Sequence, residues 1–208
     1  MSRSAQRRLA AGGRGAGLLV VTPLRLERAA VRRGVPHACV VRCGMGAERA
    51  GAMAPALARV PAGAVAVAGF CGAVTAGLRP GDVVVADEVR GPEGVIACAS
   101  APLVAALGTL GIRRVRVGPV ACADRLVRGA ARSAPACDGA LAADMESAWL
   151  APAAAGRPVA VLRVVLDTPE RELHRPLATL AGAVSAWRAL RRAAPALAVW
   201  ADAVSPRW

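Results

Sequence analysis

The sequence predicts one α/β domain with a central, mostly parallel mixed sheet that is flanked by helices. Short apolar runs with the length of buried strands alternate with longer segments of helical pattern. Such an alternation is typical of a sheet that is covered by helices. The chain has 208 residues, 55% of them hydrophobic and 20% charged, which is enough to bury one substantial core. We expect residues 17–208 to form this domain after a flexible basic N-terminal tail at residues 1–16.

The first predicted elements are a buried strand at 17–21, a turn at Thr22-Pro23 and a helix at 24–33 that ends at Gly34. The segment 176–208 is helical in pattern and interrupted by Pro195, and we expect it to cover the sheet. The alternative for this segment is an amphipathic surface for a membrane or a partner subunit. Between these ends, strands are predicted at 38–43, 64–68, 83–86, within 90–98, at 115–120 and at 161–166, and helices at 47–59 and 101–111.

The net charge of +13 raises the question of a nucleic-acid partner. The chain has one Phe, no Tyr and four Trp, which is a poor supply of aromatic platforms for stacked bases. It also has no zinc-finger or RNA-binding signature. We therefore expect no nucleic-acid partner and assign the charge to anionic substrates or to peripheral contact with an anionic membrane.

The six cysteines are scattered, with no C-x-x-C pair, and most lie in apolar surroundings. The apolar run at 17–21 is too short for the core of a signal peptide, and no run approaches the roughly 18 to 20 residues needed to span a bilayer. We therefore expect a cytoplasmic protein with free thiols. His37 and His174 are too few and too distant for a metal cluster, so we expect neither metal nor cofactor.

Two acidic segments near the carboxyl ends of predicted strands indicate a site. Asp144 and Glu146 are two positions apart, so they cannot share a helical face, but the spacing fits a strand end that turns into a helix. The apolar run that starts at Val161 ends at Asp167. In open α/β sheets the carboxyl ends of strands point into the ligand crevice. Glu146 and Asp167 are therefore predicted to share one site.

Two further features lie close to predicted strand ends, and each has two interpretations. Arg25 and Glu27 fall in the first turn of the first helix, where Glu27 complements the helix dipole and Arg25 is solvated, or where both serve the site. The Gly44-Met45-Gly46 turn precedes a predicted helix. Its glycines allow either close packing or the approach of backbone N–H groups to an anion.

Together these motifs resemble the nucleoside phosphorylase and nucleosidase superfamily of the purine and uridine phosphorylase type. The resemblance covers residues 18–190, and its motifs stand in the expected order. Within the superfamily, the sequence is most similar to the hopanoid-associated branch, which is implied to release adenine from adenosylhopane. The motifs that carry the resemblance are the segments 20–25, 42–46, 69–85, 144–147 and 163–167.

The resemblance implies a role for each residue of the shared site. Asp167 would protonate the leaving base, and Glu146 would bind the ribose and stabilise the positive charge that develops on it. Met145 would pack under the sugar, with Leu126 or Phe70 against the base. The remaining residues implied to bind the substrate are Asp144, Arg163, Cys71 and Gly72. Without the resemblance, Asp167 reads as a turn residue that hydrogen-bonds its own backbone.

The acceptor of the sugar stays open between phosphate and water. The resemblance implies phosphate binding by Arg25, Gly44, Met45 and Gly46, and a guanidinium suits that ligand. Glu27 instead falls where the nucleosidases keep the carboxylate that activates water. Val67 and Phe70 replace an Arg and a Ser of the phosphorylases. Leu166 replaces a Ser that often precedes the catalytic Asp.

The function that follows is cleavage of the N-glycosidic bond of a purine nucleoside, with adenosylhopane converted to ribosylhopane as the specific expectation. No cofactor is expected, and phosphate would serve only as a co-substrate. The partner is a small-molecule purine nucleoside that is lipid-linked in this specific case, and the resemblance implies a homo-oligomer. The alternatives are a methylthioadenosine/S-adenosylhomocysteine nucleosidase, a nucleoside-binding module without turnover, and a basic protein that binds nucleic acid or membranes.

Overall fold

Ten β-strands form one mixed sheet within residues 17–169 and 176–205, which are the part of the chain that the computed structural model describes. Most neighbouring strands in this sheet are parallel, so the predicted α/β fold class is confirmed. The predicted tail at 1–16 and His174 lie outside the described residues. The strands are β1 (Leu18–Thr22), β2 (Cys39–Arg42), β3 (Ala64–Ala73), β4 (Val83–Val85), β5 (Glu88–Gly91), β6 (Gly94–Ala97), β7 (Val115–Val117), β8 (Val120–Cys122), β9 (Ala142–Asp144) and β10 (Val159–Asp167).

Helices cover both faces of this sheet, and two cores lie between the helices and the strands. The larger core contains Trp200, which is fully buried and donates its indole N–H to the carbonyl of Ala99 at 2.9 Å. The predicted C-terminal helical cover is therefore confirmed. The helices are α1 (Arg25–Gly34), α2 (Ala47–Ala58), α3 (Ser100–Thr109), α4 (Ser133–Cys137), α5 (Ser147–Leu150), α6 (Pro176–Ala193) and α7 (Pro195–Val204), with 3-10 turns at Gly129–Arg132 and Ala151–Ala154.

Two strand predictions were wrong in detail. The segment 115–120, predicted as one strand, forms β7 and β8, which pair with different neighbours. Gly118 and Pro119 separate them, and proline removes a backbone donor that a continuing strand needs. The short strand predicted within 90–98 is confirmed as β6, which forms an antiparallel hairpin with β5. The strand predicted at 64–68 continues to Ala73, because its glycines stay in the sheet and leave room for neighbouring side chains.

The long strand β3 changes partner along its length. Its first half pairs in parallel with β1, whose last partner is Val67, and its end pairs antiparallel with β9 from Gly72 onward. On the other side, the parallel strand β10 accompanies β3 along most of its length. Because β1 and β9 run in opposite directions, their carboxyl ends point toward each other across the gap beside residues 68–71. The sheet is thus interrupted on this side of β3, at residues 68–71.

Gly69 lies in this gap and lets two charged side chains cross β3. Arg163 pairs with Gly69 across the β3–β10 ladder. A Cβ atom at Gly69 would lie 2.6 Å from Glu27 Oε1 and 2.8 Å from Arg163 Nη1. Both distances are well inside van der Waals contact, so only glycine fits here without displacing a buried charged group.

Gly69→Ala should therefore lower the free energy of unfolding by about 1–3 kcal/mol, the usual cost of overpacking a core. Gly108→Ala is the matched control, since Gly108 lies in α3 and an added Cβ meets nothing within 4 Å. That substitution should raise stability by about 0.5–1 kcal/mol through helix propensity. Urea unfolding of both variants measures the difference, and an equal effect of the two substitutions would contradict the packing assigned to Gly69.

Candidate active site

A cavity of about 150 Å³ lies at the gap in the sheet. It contains the buried carboxylates that follow β1, β9 and β10, since all three strands end at this position. A neighbouring cavity of about 440 Å³ shares the wall at 125–127, but Glu27, Glu146 and Asp167 line only the smaller one. The predicted site residues that line the smaller cavity are Glu27, Met45, Phe70, Cys71, Gly72, Leu126, Asp144, Met145, Glu146 and Asp167.

Asp144 is the last residue of β9, and its carboxylate organises the turn into α5. Oδ1 accepts the backbone N–H groups of Glu146 and Ser147, both at 3.1 Å, and the Ser147 hydroxyl donates to Oδ2. Oδ2 also lies 2.7 Å from Nη2 of Arg163, which is fully buried. The two-residue spacing of the acids thus fits a strand end that enters a helix, as predicted.

Glu146 immediately precedes α5, and its carboxylate is held at the cavity from two sides. Oε1 accepts the backbone N–H of Gly46 at 2.8 Å, and Oε2 lies 3.9 Å from Arg163 Nη2. Burial raises the pKa of Glu146 above its usual range, while Arg163 and the Gly46 amide act in the opposite direction. The guanidinium and the amide thus offset part of the effect of burial on this carboxylate, which faces the cavity.

Glu27 lies in the first turn of α1 and is almost completely buried. Its oxygens accept the backbone N–H of Leu24 at 2.5 Å and that of Phe70 at 2.7 Å. Burial raises the pKa of Glu27 to about 7, against the lowering effect of these bonds and of Arg163. Both interpretations of Glu27 therefore apply: it satisfies an amide at the helix start, and it lines the cavity.

Asp167 ends β10, and a side chain that the sequence analysis missed pairs with it. Arg132 Nη2 lies 2.5 Å from Asp167 Oδ2, and both side chains are buried. Arg132 Nη1 also donates to the backbone carbonyl of Ala73. Nothing in the sequence distinguishes Arg132 from the rest of the 27 basic residues, because the segment that carries it is an irregular connection.

Of the residues predicted to bind phosphate, only Met45 lines the cavity. Arg25 is exposed at the start of α1 and is not part of the cavity lining. The Gly44 N–H donates to the Pro23 carbonyl at 3.1 Å, and the Gly46 N–H is taken by Glu146. Both glycines have positive φ, so the turn needs them for its backbone conformation. Phosphate binding here stays a prediction.

The mouth of the cavity is apolar. Met45 is 55% exposed and Leu126 is 46% exposed, although both line the cavity, and Pro23 and Leu24 complete this part of the wall. The buried carboxylates of Glu27, Glu146 and Asp167 line the rest of the cavity, together with the exposed Arg125. A ligand with one polar and one apolar end would therefore match the cavity in a single orientation.

Within 17–169 and 176–205, no group of three or more His, Cys, Asp or Glu side chains is placed to hold a metal ion. None of the helices that the structure describes combines the length and the hydropathy that crossing a bilayer requires.

A sequence model described as the phosphorylase superfamily matches residues 25–198. The chain belongs to the phosphorylase superfamily. The match spans the first helix, all three acidic segments and most of the C-terminal cover. The prediction of a nucleoside phosphorylase or nucleosidase enzyme is confirmed at this level.

Solved structures of nucleosidases have the same fold. A mutant of the Helicobacter pylori enzyme with 5′-methylthioadenosine in its active site is similar with a TM-score of 0.75 and 16% identity, over 91% of this superfamily member and 100% of that chain. The S-adenosylhomocysteine nucleosidase of Streptococcus pyogenes gives a TM-score of 0.72 and 20% identity, over 94% and 100% of the two chains. A comparison with curated protein sequences gave no match.

The buried position of Glu27 predicts a pH-dependent change in stability. Its pKa of about 7 in the folded protein exceeds the ordinary value of 4.5, so the folded state retains a proton that the unfolded state loses. The free energy of unfolding therefore falls as the pH rises from 4.5 through 7, by on the order of 3 kcal/mol for this group. Glu27→Gln cannot ionise, so it should lose this fall in stability between pH 4.5 and 7.

Thermal unfolding across this pH range measures the effect. Glu48→Gln is the control, because Glu48 occupies the first turn of α2 but is exposed. The control should leave the pH dependence of stability as it is in the wild type. Parallel curves for wild type and Glu27→Gln across the range would contradict the electrostatic environment assigned to Glu27.

Proposed function

We propose that the protein cleaves the N-glycosidic bond of an adenine nucleoside with water as the acceptor, and so releases adenine. The observation that carries this proposal is the convergence of Glu27, Glu146 and Asp167 on one cavity from three separate elements. Hydrolysis of this bond needs three functions at one place: activation of water, stabilisation of the sugar and protonation of the leaving base.

Glu146 and Asp167 supply the two functions that break the bond. Cleavage develops positive charge on the sugar and negative charge on the departing purine. The Glu146 carboxylate binds ribose hydroxyls and stabilises the cationic sugar electrostatically. The Asp167 carboxyl group delivers a proton to N7 of the purine, so that adenine leaves as a neutral molecule. Met145 lies under the sugar in this arrangement, and Leu126 and Phe70 contact the base.

Glu27 favours water over phosphate as the acceptor. A general base works best when its pKa is near the working pH, and burial raises the pKa of Glu27 to about 7. The backbone amides of Gly44 and Gly46 already have partners within the protein, and Arg25 is exposed. These partners, and the exposure of Arg25, favour water over an anionic acceptor. In this proposal the reaction needs no cofactor.

The apolar mouth supports an apolar substituent on the 5′ carbon of the ribose. With the purine and the ribose at the acidic end, this substituent extends past Met45 and Leu126 toward solvent. We propose adenosylhopane as the substrate, converted to ribosylhopane, since its hydrocarbon group matches this mouth and the net charge of +13 suits an anionic membrane surface. Methylthioadenosine is the second candidate, because a structure with the same fold binds it.

Incubation with nucleosides, with and without phosphate, tests the reaction. The protein should release adenine and free sugar from an adenine nucleoside at the same rate in both conditions. Asp167→Asn should lower kcat by roughly 10²–10⁴-fold, the usual contribution of general acid catalysis. Asp202→Asn, an exposed position in α7, is the control and should retain activity.

Adenosylhopane, methylthioadenosine, S-adenosylhomocysteine and adenosine would be compared in this assay by kcat/KM. Formation of a phosphorylated sugar, seen only when phosphate is present, would show that the reaction is phosphorolysis and would contradict hydrolysis. Binding of adenosine without adenine release from any of the four nucleosides would instead favour a binding module.

The proposal also predicts the acidic side of the pH profile. Glu27 must be deprotonated to accept a proton from water, so kcat/KM for adenine release should rise with pH up to about 7. Glu27→Gln should remove this rise and lower the rate by roughly 10²–10⁴-fold. A rise of the same shape in the Gln variant would exclude Glu27 as the base.

A further inference from the structure

Arg132 makes two contacts at once beside the proposed proton donor. Its side chain is 3% exposed, although the 3-10 turn that carries it is largely at the surface. One nitrogen, Nη2, lies 2.5 Å from Asp167 Oδ2, and the other, Nη1, donates to the carbonyl of Ala73 at the end of β3. The guanidinium therefore ties the carboxylate to the backbone of the central strand.

Gly72 provides the space for this pair. A Cβ atom there would lie 2.9 Å from Asp167 Oδ1 and 3.0 Å from Arg132 Nη1. The two side chains thus pack directly on the backbone of β3, which limits their freedom to rotate. A planar guanidinium that binds both a carbonyl and a carboxylate also fixes the orientation of the carboxylate as well as its distance.

The residue that precedes Asp167 cannot contribute to this orientation. Leu166 has an apolar side chain, so it offers no hydrogen bond to the neighbouring carboxyl group. A general acid must present its proton to one atom of the substrate, and small misplacement of a reacting group is costly. The contact from Arg132 orients the Asp167 carboxyl group, which the side chain of Leu166 cannot do.

We propose that Arg132 is a positioning residue that holds Asp167 in the orientation from which it protonates the leaving base. This inference rests on the proposed function. Because Oδ2 accepts from the guanidinium, the transferable proton resides on Oδ1. During the reaction the Oδ1–H bond breaks and an N7–H bond forms, while the electrons of the glycosidic bond stay on the purine. The guanidinium then stabilises the carboxylate that remains.

The same positive charge sets the pH range of the donor. A guanidinium beside a carboxyl group favours the ionised form, so activity falls at a lower pH than it would without Arg132. Other titratable or charged groups also lie near Asp167: Glu27, Cys71, Arg125, Asp144 and Glu146 line its cavity, and Arg163 lies behind the wall. Replacing Arg132 alone leaves all of these in place.

The test compares kcat profiles on the alkaline side for adenine release from methylthioadenosine. Arg132→Gln should lower kcat by on the order of 10- to 100-fold with little change in KM. Its alkaline fall in kcat should also move to higher pH, because the neighbouring positive charge is lost. Arg132→Lys keeps the charge but loses the fork, so its fall should stay at the wild-type pH with a smaller loss of kcat. Arg128→Gln removes the same charge from an exposed position of the same segment and should match the wild type.

The outcomes separate this inference from the proposed function. A wild-type protein that releases no adenine from methylthioadenosine, adenosine or adenosylhopane overturns the function and the inference together. An active wild type with an Arg132→Gln profile that matches Arg128→Gln overturns the inference alone. If Arg132→Gln does not fold, Arg132→Lys decides, since a reduced kcat at unchanged KM supports positioning and a wild-type kcat contradicts it.

Discussion

One buried cation, the guanidinium of Arg163, allows several carboxylates to gather in a small cavity. It lies 2.7 Å from Asp144 and 3.9 Å from Glu146, and its charge opposes the effect of burial on the pKa of Glu27. Carboxyl groups that are buried together without such a cation take up protons and lose the charge that the chemistry needs. The electrostatics of the site therefore depend on a residue that lies behind the cavity wall.

The backbone of β3 makes this arrangement possible. Where β1 has ended and β9 has not begun, the strand has a backbone N–H, that of Phe70, which binds Glu27 instead of another strand. At the same place Gly69 leaves room for Arg163 to reach across the sheet. Where the hydrogen-bond ladder is interrupted, a backbone N–H is therefore free of strand pairing, the Arg163 side chain has room, and the cavity lies beside both.

The local parts of this site could be predicted from the sequence, and the contacts between distant residues could not. The run before Asp167 and the spacing of Asp144 and Glu146 depend on neighbours in the chain, and the structure places these residues as expected. The Arg132–Asp167 pair joins residues 35 positions apart, and an irregular segment carries Arg132. Periodicity gives no information about such a segment. The length of β3 was missed because its glycines resemble a turn until their crowded surroundings are known.

The bond between Glu146 and the Gly46 amide links the floor of the cavity to its doorway. Gly46 directly precedes α2 and follows Met45, which is exposed and lines the cavity. A carboxylate oxygen has two lone pairs, so Oε1 can accept a second hydrogen bond beside that of the Gly46 amide. A hydroxyl bound at Oε1 would therefore share its acceptor with the amide that fixes the turn next to Met45.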